Sequence, residues 1–290
     1  MEIEVSDIAL PFNWILKQRY KIDEIYYWGH TSILYMCQDF ETKELVVVKE
    51  FCPYFFANRD MDGHSVICKG HSYEKSFEQA YKAFEQECEI VKKLQNLKQK
   101  AANNVLKYLD SFEENNTKYL VTEYIDGDSL DDLVEQEINF SVRNCMKALI
   151  TTVRSLHKIG IYHRDIKPAN IIVHADGSLV LIDFGSACYK NDKSNELAFV
   201  SRGYSAPELY RNQESYSEAD VYSIGALFYF LLTGRQPTGA DDREKGEELI
   251  NVTKLVTIPS HLGHIIMKAL HMNRKKRLKS LWLMERLLDN

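Results

Sequence analysis

His163-Arg164-Asp165-Ile166-Lys167-Pro168-Ala169-Asn170 sets a carboxylate, a cation two residues on and a carboxamide five residues on within one short stretch. Such a set suits phosphoryl transfer, where the protein's task is mostly positioning and charge stabilisation. Asp165 can orient a hydroxyl and accept its proton, and Lys167 can neutralise charge on the moving phosphoryl group. The Asn170 oxygen can ligate Mg²⁺. Asp183-Phe184-Gly185 begins 13 residues after Asn170, behind the apolar run 179–182. Its carboxylate is a second hard oxygen of the kind Mg²⁺ prefers. Ala206-Pro207-Glu208 ends 25 residues beyond Asp183.

Upstream of this stretch the chain reads as strands. Runs 20–27, 33–39 and 44–50 are apolar or alternating, and 59–67 suggests a hairpin about Asp62-Gly63. Apolar residues at 77, 80, 81, 84, 88, 91, 94 and 97 recur in steps of three and four, which predicts an amphipathic helix over 76–99. Two more strands, 108–112 and 118–124, flank a polar turn. Beyond Ile125-Asp126-Gly127-Asp128 the character changes. Segments 129–137 and 142–158 read as helices, the second closed by Gly160 as a C-cap. The nearly all-apolar 219–232 reads as a helix buried on every side. A strand-rich small lobe, a linker near 123–127 and a helical large lobe make a two-lobed plan, and clefts between lobes are favoured ligand sites.

Composition excludes several classes. With 290 residues, 45% hydrophobic and 27% charged, the chain is neither disordered nor fibrous. Thirty-six Lys and Arg against 42 Asp and Glu leave a net charge of -6, unsuited to whole-surface attraction to nucleic acid or anionic lipid. The longest strongly apolar run, 224–232, is nine residues, under half the ~20 that span a bilayer. MEIEVSDIAL has no basic n-region, so no signal peptide is expected. Six scattered cysteines without a C-x-x-C pair read as reduced thiols of a cytoplasmic protein.

The three motifs, in this order and spacing, resemble a protein kinase catalytic domain over roughly residues 20–290. That resemblance implies an α+β, two-lobed fold, with a small antiparallel-sheet lobe plus one helix and a larger, mostly helical lobe. Residues 1–122 would be the N-lobe, 123–127 the hinge and 128–290 the C-lobe. Lys49, in Val46-Val47-Val48-Lys49, resembles the strand lysine that holds the α- and β-phosphates of ATP. Glu85, Glu87 and Glu89 compete to be its partner. Glu87 fits best, because the seven residues from Cys88 to Leu94 reproduce the pattern behind the paired glutamate. Glu85 and Glu89 then read as a solvated helix face. Thr122 falls at the gatekeeper position, and Glu123 to Ile125 at the hinge whose backbone meets adenine. Leu34, Val47 and Ile172 would sandwich the base. Asp220 resembles the aspartate that braces the catalytic loop, and Arg277 the arginine that pairs with Glu208. The basic cluster 274–277 therefore needs no nucleic acid to explain it.

Lys167, in Asp-Ile-Lys-Pro-x-Asn, resembles the serine/threonine type; tyrosine kinases usually carry an Ala/Arg arrangement there. The 37 residues between Lys49 and Glu87 are more than is usual, and Lys49-Glu50-Phe51-Cys52-Pro53 with the Arg59 hairpin looks like bacterial kinases of that type. The resemblance implies ATP- and Mg²⁺-dependent transfer of a phosphoryl group to Ser or Thr hydroxyls of a protein substrate. Asp165, Lys167, Lys49 and Glu87 would be catalytic, and Asn170 and Asp183 would hold the metal.

One element departs from the pattern. The three glycine positions of the phosphate loop are Tyr27, Gly29 and Ser32, so only the middle one is glycine. Side chains with a Cβ resist the backbone angles that bring N–H groups close to phosphate. Either ATP binds under a less closely wrapped loop, or the protein is a pseudokinase scaffold that binds and regulates a partner. Arg164 resembles the arginine that in this family often pairs with a phosphate on the segment 183–208, and the resemblance implies Ser194 as the first candidate and Tyr189 as the second. The alternative is a segment ordered by its own packing.

Overall fold

Alternation in the first quarter of the chain becomes a six-stranded antiparallel sheet. The computed structural model describes residues 8–95, 103–190, 200–213 and 216–288. These fall into two compact units, 8–95 with 106–124 and 103–105 with 125–288. The division after residue 124 lies inside the stretch read as a hinge. Residues 103–105 group with the second unit rather than the first, because Val105 bridges in parallel to Leu181.

The first unit contains β1 (Ile15–Leu16), β2 (Tyr20–Trp28), β3 (Ser32–Asp39), β4 (Leu45–Phe51), the hairpin β5 (Ala57–Arg59) and β6 (Val66–Cys68), α1 (Glu74–Leu94), β7 (Tyr108–Glu114) and β8 (Thr117–Glu123). The sheet order is β1-β2-β3-β4-β8-β7. Asn115 and Asn116 form the two-residue turn between β7 and β8 with φ of 52° and 54°, the left-handed geometry such a hairpin requires and asparagine tolerates.

Period-two alternation gives the sheet two unlike faces. Leu34 pairs with Lys49 and Met36 with Val47 on one face; Ile33 with Glu50 and Tyr35 with Val48 on the other. The Lys49 face receives α1, whose Phe77, Tyr81 and Phe84 rings surround Phe51 at 5.3–5.6 Å. The opposite face forms the core with Ile8, Leu10 and Leu16, a packing the sequence pattern did not reveal, and with Ala57 and Val66 of the β5–β6 hairpin.

In that core lies a charge. Glu50 is fully buried. Its carboxylate takes Arg59 Nη1 and Nη2 at 2.7 and 2.5 Å, Tyr35 Oη at 2.7 Å and Tyr119 Oη at 2.8 Å. Arg59 Nε donates to the Ile8 carbonyl at 2.7 Å. This network ties the hairpin and the N-terminal segment to the back of β4.

The second unit contains β9 (Asp128–Ser129), α2 (Leu130–Glu135), α3 (Val142–Lys158), β10 (Ile161–Tyr162), β11 (Ile171–Val173), β12 (Leu179–Leu181), β13 (Cys188–Tyr189), α4 (Pro207–Tyr210), α5 (Ser217–Thr233), α6 (Ala240–Glu244), α7 (Ser260–Ala269) and α8 (Trp282–Leu287). Helix α5 is its centre: residues 219–229 are all buried, and Gly234 ends it in the left-handed conformation. Gly127 permits a close approach, since a Cβ there would lie 2.5 Å from the Val173 carbonyl oxygen. Among the described residues no helix is long and apolar enough to cross a membrane, and no disulfide joins the six cysteines.

Removing one member of a buried ion pair strands the other, at about 3–5 kcal/mol. Arg59→Met should therefore lower the unfolding free energy by about that much, measured by urea denaturation. Adding Glu50→Gln removes the stranded charge yet keeps an acceptor for Tyr35 and Tyr119, and should recover at least half of the loss.

Candidate active site

In the first unit Lys49 and Glu87 meet because β4 turns Lys49 toward α1 and the helix period turns Glu87 back. Their Nζ–Oε1 distance is 2.6 Å, with Glu87 buried and Lys49 mostly so. Of the three competing glutamates, Glu89 is exposed. Glu85 pairs with Lys118 at 3.0 Å, so it is not simply a solvated face as its spacing suggested. Leu34 and Val47 are half-buried on the Lys49 face. Thr122 is buried opposite Val47, and the Glu123 amide donates to the Lys107 carbonyl at 3.2 Å.

The phosphate loop is shorter than its motif. Tyr27 and Ser32 are strand residues of β2 and β3, only 29–31 turn, and Gly29 N donates to Ser32 O at 2.9 Å. Neither Tyr27 nor Ser32 has positive φ. The expectation that a Cβ at these positions strains the backbone is thus not met, because both are held in extended ladder geometry.

In the second unit the loop 163–170 is organised from below by Asp220, a wholly buried carboxylate in the first turn of α5. It accepts the backbone amides of His163 at 3.1 Å and Arg164 at 2.7 Å. His157 Nε2 lies 2.7 Å from Oδ2. Burial alone would push this carboxyl up, but the hydrogen bonds and the neighbouring histidines hold it below its ordinary value. Arg164 takes φ of 64°, a strained conformation for a long side chain that the paired amides enforce.

Above this foundation stands Asp165, buried and multiply bonded. Ser201 Oγ donates to Oδ1 at 2.7 Å, and Lys167 Nζ to Oδ2 at 2.8 Å. Asn170 Nδ2 donates to the Asp165 carbonyl at 2.8 Å and to Oδ2 at 3.1 Å. Lys167 also reaches Ser201 Oγ at 3.2 Å. A carboxylate so held has one orientation, as a proton acceptor for a positioned hydroxyl needs.

Asn170 and Asp183 come together through the β11–β12 hairpin. Ile171 pairs with Leu181, and Ile182 N donates to Asn170 O at 2.9 Å. Asp183 is therefore one residue past the partner of Asn170. It takes φ of 56° and accepts Gly185 N at 3.3 Å. The Asn170 amide nitrogen is committed to Asp165, which leaves its oxygen for a cation. A carboxylate and a carboxamide oxygen fit a hard divalent ion completed by water and phosphate oxygens. Among the described residues no group of three or more His, Cys, Asp or Glu could hold a metal.

Ile172 is half-buried in β11, and Ile125 is where the chain passes into the second unit after Tyr124. Arg277, buried, forms a two-pronged pair with Glu208 at 2.5 and 2.9 Å. Ser186 and Ser205 are buried. Ser194 lies outside the described residues, and Tyr189 is half-buried in β13. His157 was missed by sequence reasoning; a histidine six residues before the catalytic loop carries no local signal that it will meet Asp220. Two concavities, of about 510 Å³ beside Tyr81 and about 290 Å³ beside Lys158, are lined by none of the predicted site residues.

Residues 28–288 match the family model of the protein kinase domain. The chain belongs to the protein kinase family. Among its relatives, a probable myosin light chain kinase of Dictyostelium discoideum is 38% identical over 152 residues, 51% of this chain and 32% of that protein. A serine/threonine-protein kinase B of the bacterium Synechocystis sp. is 32% identical over 219 residues, 70% of this chain and 37% of that protein. The chain thus spans about a third of the length of these relatives. The solved structure of PpkA-294 in its apo form is similar with a TM-score of 0.80 at 25% identity, covering 97% of this chain and 99% of that one. The kinase domain therefore has the two-lobed α+β fold that its motifs implied, and the family uses ATP with a divalent metal ion.

Because Asp220 is depressed in the folded kinase domain, it contributes stability present above about pH 4 and lost as pH falls through its folded value. Asp220→Asn should lower Tm at pH 7 and flatten its decline between pH 5 and 3 relative to wild type, read by thermal unfolding across roughly that range. An unchanged acid limb would separate Asp220 from that linkage.

Proposed function

We propose that this kinase domain transfers the γ-phosphoryl group of ATP, with Mg²⁺, to Ser or Thr hydroxyls of a protein substrate. The observation that carries the reading is Asp165, held at once by Ser201, Lys167 and Asn170. In this reading Asp165 takes the hydrogen bond of the acceptor hydroxyl, orients its oxygen and receives its proton as the new O–P bond forms and the bond from the γ-phosphorus to the β,γ-bridging oxygen breaks, its electron pair leaving with ADP. Lys167 stays beside Asp165 and offsets charge on the moving group. Lys49, fixed by Glu87, holds ATP phosphate oxygens. Asn170 and Asp183 would hold the metal, which when bound neutralises phosphate charge. Lys167, the kinase-family match and the Synechocystis relative support the Ser/Thr class. The sequence feature that pointed toward a scaffold, the glycine-poor loop, keeps ordinary backbone geometry.

The test is incubation with Mg²⁺ and γ-labelled ATP beside a general acceptor protein, followed by phosphoamino-acid analysis. Label on serine or threonine, dependent on the divalent ion, is expected. Asp183→Asn should raise the Mg²⁺ concentration needed for half-maximal transfer at least tenfold, a factor worth about 1.4 kcal/mol. Label on tyrosine alone, or none with a folded protein, contradicts the proposal.

A further inference from the structure

The insert that lengthens the path from β4 to α1 ends against the phosphate loop. Its base is the buried Glu50–Arg59 pair, and Glu50 directly follows Lys49 on β4. Its corner, Tyr54 to Phe56, is a turn fixed at several points. The amides of Phe56 and Ala57 donate to the Pro53 carbonyl at 2.7 and 2.9 Å, and Lys69 N donates to Phe56 O at 2.8 Å. Lys69 Nζ donates to Tyr54 O at 2.6 Å.

From this corner two rings reach the loop tip. Tyr54 Oη lies 3.0 Å from His30 Nδ1. The Phe55 ring stacks on the His30 ring at 5.4 Å with 27° between planes. Tyr54 also packs on Trp28, the last residue of β2, at 5.4 Å, and on Phe55 at 4.2 Å. Within the loop, a Cβ on Gly29 would lie 3.2 Å from the Tyr27 ring, so the remaining glycine makes room for that tyrosine. Phe55 is 52% exposed and Tyr27 62%. Both rings thus stay more than half exposed beside the loop tip.

We propose that the Tyr54-Phe55 corner is a positioning element for the phosphate loop, acting through His30. This rests on the reading of residues 27–32 as the cover of the ATP phosphates. The backbone of the three-residue tip is held by Gly29 N donating to Ser32 O at 2.9 Å and by Cys52 N donating to Thr31 O at 3.0 Å, while the His30 side chain meets Tyr54 and Phe55. Holding it from outside lowers the ordering cost when nucleotide binds. The residues concerned are positioning residues; none is assigned to the phosphoryl transfer itself.

The experiment compares wild type, His30→Ala, Tyr54→Phe and the double variant in two measurements. One is backbone amide exchange over 27–33 in the nucleotide-free protein, followed by mass spectrometry. The other is the steady-state kinetics of phosphoryl transfer. The expected result is faster exchange over 27–33 and a KM for ATP raised roughly three- to tenfold in each single variant, with kcat within about twofold. Because the two residues act through one contact, the double variant should be no worse than the weaker single, the signature of coupled neighbours. Unchanged exchange, unchanged KM, or multiplicative effects in the double variant each overturn the proposal. If wild type shows no ATP turnover at all, it is the kinase reading that fails, and the role at the phosphates with it. If wild type turns over normally and only the variants are silent, the brace alone fails.

Discussion

Everything at the catalytic loop depends on one buried carboxylate. Asp220 has no access to water, and it satisfies its acceptor capacity on two successive backbone amides and a histidine ring. A carboxylate in that position is tolerated only while each of those donors is aimed at it. The consequence is geometric: His163 and Arg164 cannot relax out of the turn, Arg164 is kept at positive φ, and Asp165 emerges at a fixed place. The rigid body behind it is α5, buried along most of its length. The loop to which the proposed transfer chemistry is assigned is thus mounted on a core helix.

A similar principle operates in the first unit, with the two faces of β4 dividing the labour. Lys49 faces α1 and meets Glu87. Glu50, one residue later, faces the opposite way and anchors the insert through Arg59. Alternation along a single strand therefore places the residue assigned to phosphate and the residue that secures its surroundings back to back. The buried Glu50–Arg59 pair need not be the most stable filling for that core, since buried ion pairs seldom beat apolar replacements. What it provides is a single position for the hairpin.

Legibility in the sequence followed distance along the chain. The motif from His163 to Asn170 and the pair Asn170 and Asp183 were readable because a short loop and one hairpin fix their geometry. Glu87 was readable from the helix pattern behind it. Glu50 was not: on an alternating strand a buried glutamate looks like a solvent-facing one, and its partners Tyr35, Arg59 and Tyr119 are 15, 9 and 69 residues away. Glu85 was read as solvated because Lys118, its partner, lies on β8, 33 residues further along the chain. The cost assigned to Tyr27 and Ser32 came from assuming a wide glycine loop, whereas β2 and β3 run far enough to leave three turn residues. In each case a tertiary contact outweighed what neighbouring residues alone indicated.

The central claim is that Asp165 receives the hydroxyl proton during transfer, and it is tested most directly by single-turnover phosphoryl transfer in Asp165→Asn, beside ATP affinity measured on the same preparation. General-base removal typically costs about 10²–10⁴ in rate. The expected result is a rate constant lowered at least a hundredfold with ATP affinity within about threefold of wild type. Transfer retained above roughly a tenth of the wild-type rate, with the variant folded and binding ATP, would contradict the role given to Asp165.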